Sequence, residues 1–199
     1  MKLCKSISTT LISVMAASLL PVAASAQTQA PTPQTDSSQS RIKRVIKDPP
    51  TYKNIYHVKA DQTPSGFQVP RFVSLKFGKV NGRTGPSRDH PIAWQYQRRG
   101  LPLLVVAETE MWRKVRDISG DESWVRKPAL SGEKFVLTLE DTALHAKPKQ
   151  SARVTAQSET NAVLKLESCT DNTQWCKVVA DNGLKGWVER NSLWGAHKF

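Results

Sequence analysis

Two stretches of this chain repeat one another at an offset of 63 residues. A repeat that short confines each copy to a very small fold. Trp112 recurs as Trp175, Val115 as Val178, Gly120 as Gly183, Trp124 as Trp187, Val125 as Val188 and Leu130 as Leu193. The matched positions are core and turn types, with no His, Ser or Glu dyad among them, which points to a binding module written twice rather than to an enzyme. A copy of about sixty residues buries only about 60% of its unfolded surface. The copies are therefore expected to pack together, joined by Leu130-Ser131-Gly132-Glu133-Lys134, a connection too short to let them tumble apart.

Within each copy the apolar residues fall in short, β-branched runs bounded by turn residues. In the first, Phe72 to Phe77 ends at Gly78, Leu101 to Glu108 follows, and Trp112 to Asp117 and Glu122 to Arg126 flank Ile118-Ser119-Gly120-Asp121. In the second, Phe135 to Leu139, Ala162 to Ser168, Trp175 to Ala180 and Lys185 to Glu189 follow the same plan around Asp181-Asn182-Gly183-Leu184. This predicts an all-β chain of two small barrels or sandwiches. Long polar loops are expected over Gly85 to Gly100 and Lys147 to Asn161.

The start of the chain predicts export. Lys2 and Lys5 precede the apolar run Leu11 to Leu20, and Ala24-Ser25-Ala26 offers small residues for cleavage between Ala26 and Gln27, so residues 1–26 are read as a signal peptide. Residues 27–69 are read as a flexible linker. Gln27 to Ser40 cannot bury enough apolar area to offset its ordering entropy. The basic run Arg41-Ile42-Lys43-Arg44-Val45-Ile46-Lys47 is either a solvated segment or one that lies on an anionic surface. The two copies then occupy 70–132 and 133–199. No later stretch is apolar enough to span a bilayer, so a periplasmic or secreted protein is expected. Nothing in the sequence specifies an oligomeric state.

Lys and Arg total 29 against 17 Asp and Glu, a formal net charge of +12, to which the leader contributes two lysines. That surplus favours anionic partners: nucleic acid, acidic lipid or a cell-wall polymer. Export makes nucleic acid the poorest of these. Cys169 and Cys176, the pair left after the leader, sit about a polar turn in an oxidising compartment and are expected to form a disulfide. The rival reading, a catalytic or metal-binding thiol pair, needs a neighbouring base or four ligands, and the sequence displays neither. The four histidines have no metal-like spacing, and no His-Glu-x-x-His, Gly-x-Ser-x-Gly or phosphate-binding loop occurs. No cofactor is expected.

In order along the first copy come Val80-Asn81-Gly82-Arg83-Thr84-Gly85-Pro86-Ser87, Trp94-Gln95-Tyr96, Leu101-Pro102-Leu103-Leu104-Val105, Trp112-Arg113-Lys114-Val115-Arg116-Asp117 and Ser123-Trp124-Val125. This ordered set resembles the tandem bacterial Src-homology-3-like domains of exported proteobacterial proteins, over roughly Arg71 to Trp194. The resemblance implies strongly curved barrels of five to six strands and recognition of peptides or peptidoglycan. The chain departs from the pattern at Ser123, where glycine is usual. In the second copy His145 replaces Arg83, and Lys147-Pro148 replaces Gly85-Pro86, which places any ligand role more securely on the first copy.

Alternation along strands supplies candidate ligand residues. If Val115 and Val125 face the core, then Trp112, Lys114, Arg116, Trp124 and Arg126 all face outward. Indoles stack on sugar rings or peptide planes, and arginine grips carboxylates in a bidentate fork. The alternative places each tryptophan as a cap on a small core, and a bulge would break the alternation. Trp94 and Tyr96 alternate in the first long loop and are followed by Arg98 and Arg99; they either line a groove or pack that loop on to its barrel, and Arg83, from the family pattern, is a further candidate ligand residue. The sequence thus favours a non-catalytic binder of peptidoglycan or another anionic envelope component. The alternative is an adaptor for an envelope protein, docking through Trp94 and the long loops. A cell-wall hydrolase would need a nucleophile, base and orienting group in one cleft, with little chain left to build it.

Overall fold

The computed structural model describes residues 55–197. The expected signal peptide with its Ala26–Gln27 cleavage site, the basic run Arg41 to Lys47 and the first part of the expected linker lie outside the described residues. Among the described residues, no helix is long and apolar enough to cross a membrane.

The chain forms two antiparallel sheets of the same design. The first contains β1 (Arg71–Leu75), β2 (Val80–Arg83), β3 (Ile92–Tyr96), β4 (Pro102–Glu108), β5 (Trp112–Arg116), β6 (Glu122–Arg126) and β7 (Leu130–Ser131), in the order β3-β2-β6-β5-β4-β1-β7. The second contains β8 (Phe135–Thr138), β9 (Thr142–His145), β10 (Val154–Ser158), β11 (Val163–Cys169), β12 (Trp175–Val179), β13 (Lys185–Glu189) and β14 (Leu193–Trp194), in the order β10-β9-β13-β12-β11-β8-β14. Each sheet curls around its own core. Leu75, Val80, Tyr96, Leu103, Val105, Val115 and Val125 fill the first. Val136, Leu144, Leu164, Cys176, Val178, Val188 and Leu193 fill the second.

The β5–β6 hairpin forms where its sequence predicts. Asp117 Oδ1 accepts from the backbone N–H of Ser119 (2.9 Å) and Asp121 (3.1 Å), and Gly120 adopts φ +87°, a left-handed value that favours glycine. Gly183 takes the same role in the second barrel at φ +81°.

The two barrels pack together, as their small size requires. Leu103 and Val105 enter the first core, whereas Leu104 between them points the other way and is fully buried with Leu137, Val163 and Trp194 of the second barrel. Phe72 meets Trp194 edge to face at 5.1 Å. A strand covered on both faces reads as an unbroken apolar run, which is why Leu103-Leu104-Val105-Val106 lacks alternation.

Two boundaries differ from expectation. Residues 55–69, read as the end of the linker, are folded on to the first barrel. Val58 and Val69 exchange backbone hydrogen bonds of 2.8 and 3.0 Å, Val69 enters the first core, and Ile55 packs on the cluster between the barrels. Proline and glycine masked this segment because its few apolar residues are too scattered to show a period. The long polar loops also contain strands: β3 pairs with β2, and β10 with β9. Ile92-Ala93-Trp94-Gln95-Tyr96 has the alternation of a strand, hidden by the polar residues on either side.

Cys169 and Cys176 face one another across β11 and β12 and are joined by a disulfide. Cys176 is fully buried on the Val178 side, as the alternation requires.

Ser123, the departure from the family pattern, is half of a reciprocal exchange. A Cβ on Gly82 would lie 2.3 Å from Ser123 Oγ and 2.8 Å from its Cβ. In the second barrel the bulk is on the other strand: Leu144 stands at the position of Gly82, and Gly186 at that of Ser123. A Cβ on Gly186 would lie 2.5 Å from Leu144 Cβ. One side chain fits between the strands, and each barrel supplies it from a different one.

Candidate binding surfaces on the two barrels

Paired residues of an antiparallel ladder share a face. Trp112 pairs with Arg126, Lys114 with Trp124 and Arg116 with Glu122 across β5 and β6, and Arg83 pairs with Trp124 across β2 and β6. Trp112, Lys114, Arg116, Trp124, Arg126 and Arg83 therefore lie on one face, opposite to the core residues Val115 and Val125, as the alternation implies.

Sharing a face does not make them equally available. Trp112 is 8% exposed, so it is not part of an open aromatic platform. The 3-10 turn Lys127–Ala129 closes that end of the sheet, its Lys127 N–H donating to the Met111 carbonyl at 2.9 Å. Trp124 is half-buried. Tyr96 belongs to the first core, and its hydroxyl lies 2.9 Å from Ser123 Oγ. Burial pushes the phenol up to about 12, despite the Ser123 hydrogen bond. Trp94 packs against the same core. Both aromatics thus turn toward the first core, Tyr96 buried in it and Trp94 half-buried against it.

Lys114 and Arg116 are already occupied. Glu122 receives Lys114 Nζ at 2.7 Å and Arg116 at 2.6 and 2.9 Å. Burial alone would raise the Glu122 carboxyl, but the hydrogen bonds and charges of Lys114 and Arg116 prevail and hold it below its usual range. Sequence reasoning overlooked Glu122, although it and Arg116 directly flank the turn over residues 117–121. That symmetry was the available signal.

Arg83 and Arg126 remain. Arg83 donates to the His90 carbonyl at 2.6 Å, and neither guanidinium meets a carboxylate among the described residues. Arg83 stands beside Trp124 across the ladder, and Arg126 lies two residues along the same strand face. The first barrel thus presents a half-buried indole that shares its face with two arginines, a surface suited to a planar or sugar-like group that carries a carboxylate or phosphate.

The same place on the second barrel is different. Trp175 pairs with Glu189 where Trp112 pairs with Arg126, and Trp187 pairs with His145 where Trp124 pairs with Arg83. Lys177 and Lys185 both bind Glu167, at 3.1 and 2.6 Å. A cavity of about 300 Å3 opens beside Trp175 and His145, with Glu140, Asp141 and Glu189 on its walls. This pocket went unnoticed in the sequence because β9, its floor strand, is only four residues long and is not marked by an apolar period.

Two short, strongly curled sheets of identical strand order, each with a hairpin in its longest loop and a 3-10 turn before its last strand, define a pair of Src-homology-3-like barrels. The chain belongs to the bacterial SH3 domain family, whose model matches residues 76–132 and 140–195. No curated protein sequence matches it. Among solved structures, it is similar to NlpC2 from Trichomonas vaginalis, with 12% identity and a TM-score of 0.30 over 66% of this chain and 49% of that one. It is also similar to NlpC1 from the same organism, with 11% identity and a TM-score of 0.30 over 65% and 46%. The chain spans about half the length of these structures, and neither likeness bears on its function.

Proposed function

We propose that this is a non-catalytic exported binding protein that recognises peptidoglycan or another anionic polymer of the cell envelope, with Arg83, Trp124 and Arg126 of the first barrel as the contact residues. The observation that carries the reading is the pair of guanidinium groups, free of carboxylate partners among the described residues, that share the face of a half-buried indole, one across the ladder and one two residues along its strand. Bacterial SH3 domains typically bind cell-wall material, which supports the same choice. The formal charge of +12 draws the chain toward such polymers. The adaptor alternative is weaker now that Trp94, its aromatic anchor, packs against the first core.

The test is retention of the purified mature chain on cell-wall sacculi. Binding should be strong at low salt and fall as salt rises, because exposed charges are screened. Arg83→Ala with Arg126→Ala should weaken retention by about tenfold. Absence of retention at low salt ends this reading.

A further inference from the structure

The turn between β1 and β2, Lys76-Phe77-Gly78-Lys79, is built unlike its counterpart in the second barrel. At the 63-residue offset it corresponds to Leu139-Glu140-Asp141-Thr142. The second turn is acidic and tied down. Ser192 Oγ donates to Glu140 at 2.8 Å, and the Thr160 backbone N–H and hydroxyl donate to Asp141 Oδ1, each at 2.7 Å. The first turn has an aromatic residue flanked by cations instead. Phe77 is 51% exposed, and Lys76, Gly78 and Lys79 are exposed with it.

A single exposed phenylalanine is commonplace on a protein surface. This one stands among cations. Lys76 Nζ lies 5.7 Å from the centroid of its ring. The Gly100 N–H donates to the Leu75 carbonyl at 2.8 Å, and the Lys76 N–H to the Ala129 carbonyl at 2.9 Å. These bonds bring Arg99 and the 3-10 turn that begins at Lys127 to the base of the β1–β2 turn. Lys76, Lys79, Arg99 and Lys127 are all exposed, and none meets a carboxylate among the described residues.

The surrounding sequence keeps acids away. No Asp or Glu occurs from Gln62 to Arg88. Residues 70–132 carry 12 Lys and Arg against 6 Asp and Glu, whereas residues 133–199 carry 9 against 8. The cationic surplus of the two copies is thus concentrated in the first.

Charge selects an anionic partner. Shape and the aromatic narrow it further. The turn protrudes, since no atom lies within 4 Å of where a Cβ on Gly78 would stand. A protruding tip cannot enclose a ligand, but it can enter a layer that closes over it. A phospholipid surface is such a layer, with phosphates outside and acyl chains beneath. Lysine stems lie along the apolar part while their ammonium heads stay with the phosphates.

We infer that the β1–β2 turn of the first barrel is a lipid-contact site, at which Phe77 enters an anionic phospholipid surface and Lys76, Lys79, Arg99 and Lys127 meet its phosphates. The acidic turn of the second barrel is repelled by the same surface, so the contact has one orientation. This goes beyond the polymer reading and shares no residue with Arg83, Trp124 and Arg126.

The test is cosedimentation of the purified mature chain with vesicles of phosphatidylglycerol and phosphatidylethanolamine, and with vesicles of phosphatidylcholine alone. The chain should bind the anionic vesicles, leave them as salt is added, and ignore the neutral ones. Spin-labelled lipid locates the contact, which separates the turn from the basic run Arg41 to Lys47. It should broaden the NMR signals of Lys76 to Lys79 and leave those of Leu139 to Thr142 sharp. Phe77→Ser should weaken binding about tenfold. Phe77→Glu with Gly78→Asp copies the second turn and should abolish the broadening. Both positions are exposed and Gly78 has open space, so the melting temperature should not change. Phe67→Ser removes an aromatic that is 64% exposed elsewhere and should leave binding as it was. No binding to anionic vesicles, equal binding to neutral ones, broadening that misses the turn, or an equal loss from Phe67→Ser overturns the inference. Purified sacculi hold no phospholipid, so retention on them is a separate outcome.

Discussion

Glu108 faces Arg113 across β4 and β5 at 3.1 Å, at the register position where the second barrel places the Cys169–Cys176 disulfide. Both side chains are almost fully buried, at 2% and 4% exposure. Glu108 also receives Arg71 at 2.6 Å and the Ser65 backbone N–H at 3.0 Å. The first barrel thus holds with an ion cluster the cross-strand site that the second holds with a covalent bond, and the cluster also fastens the 55–69 segment. Burial would raise the Glu108 carboxyl, but the hydrogen bonds from Ser65 and Arg71 and the Arg71 charge outweigh it and keep it ionised.

Removing one partner of such a cluster leaves charge buried without compensation. Glu108→Ala is expected to destabilise the first barrel by about 3 kcal/mol. Amide hydrogen exchange should also reveal loss of protection at Val58 and Val69. Wild-type stability in chemical denaturation would show the cluster to be idle.

Reduction acts on the other barrel. The disulfide closes a loop of about eight residues, worth about 2.5 kcal/mol in loop entropy. With reductant, protection should fall first in β11 to β13, while β4 to β6 hold longer. Equal loss in both barrels would mean that the interface through Trp194 makes them unfold as one.

The reciprocal exchange predicts a rescue. Gly82→Leu alone should be severely destabilising, because its Cβ overlaps Ser123. Gly82→Leu with Ser123→Gly removes that overlap and should recover part of the loss, the Tyr96 ring still standing 3.1 Å from the new Cβ. It should not recover all, since Tyr96 loses its hydroxyl partner. A thermal-melt double-mutant cycle with no coupling would refute the steric account.

Glu122 is expected to restrain binding rather than support it. Glu122→Gln releases Lys114 and Arg116, adding cationic charge to the first barrel's outer face. Sacculus retention at low salt should increase several-fold, with a steeper decline as salt is added. Unchanged or weaker retention would exclude this face from the contact.

Asp117 gives a pH signature. Burial, with help from Asp121, pushes its carboxyl up to about 6 from 3.8, against the opposing hydrogen bonds of the turn. The folded state therefore binds the proton more tightly than the unfolded chain. Its contribution to stability is present below about pH 4 and lost as pH rises through about 6. Asp117→Asn keeps the turn acceptor and should flatten stability across that window. A carboxyl NMR titration of Asp117 centred near 3.8 would contradict this.

Much was legible in the chain because local spacing dictates it. The 63-residue offset specified two copies, the glycines at 120 and 183 marked the hairpins, and alternation put Trp112, Trp124 and three cations on one face. The proximity of Cys169 and Cys176 about a turn sufficed for the disulfide. These are properties of a few adjacent residues.

Exposure and charge pairing depend on segments distant in sequence, and only the tertiary structure decided them. Trp112 is covered where the chain turns back after β6, and the second barrel buries Leu104. Glu122 claims Lys114 and Arg116 because the hairpin aligns them, whereas Arg83 and Arg126 meet no carboxylate among the described residues. The acidic pocket collects Asp141, His145, Trp175 and Glu189 from three parts of the second copy. Strand alternation assigns a side chain to a face; what else reaches that face is set by how the sheet curls and closes.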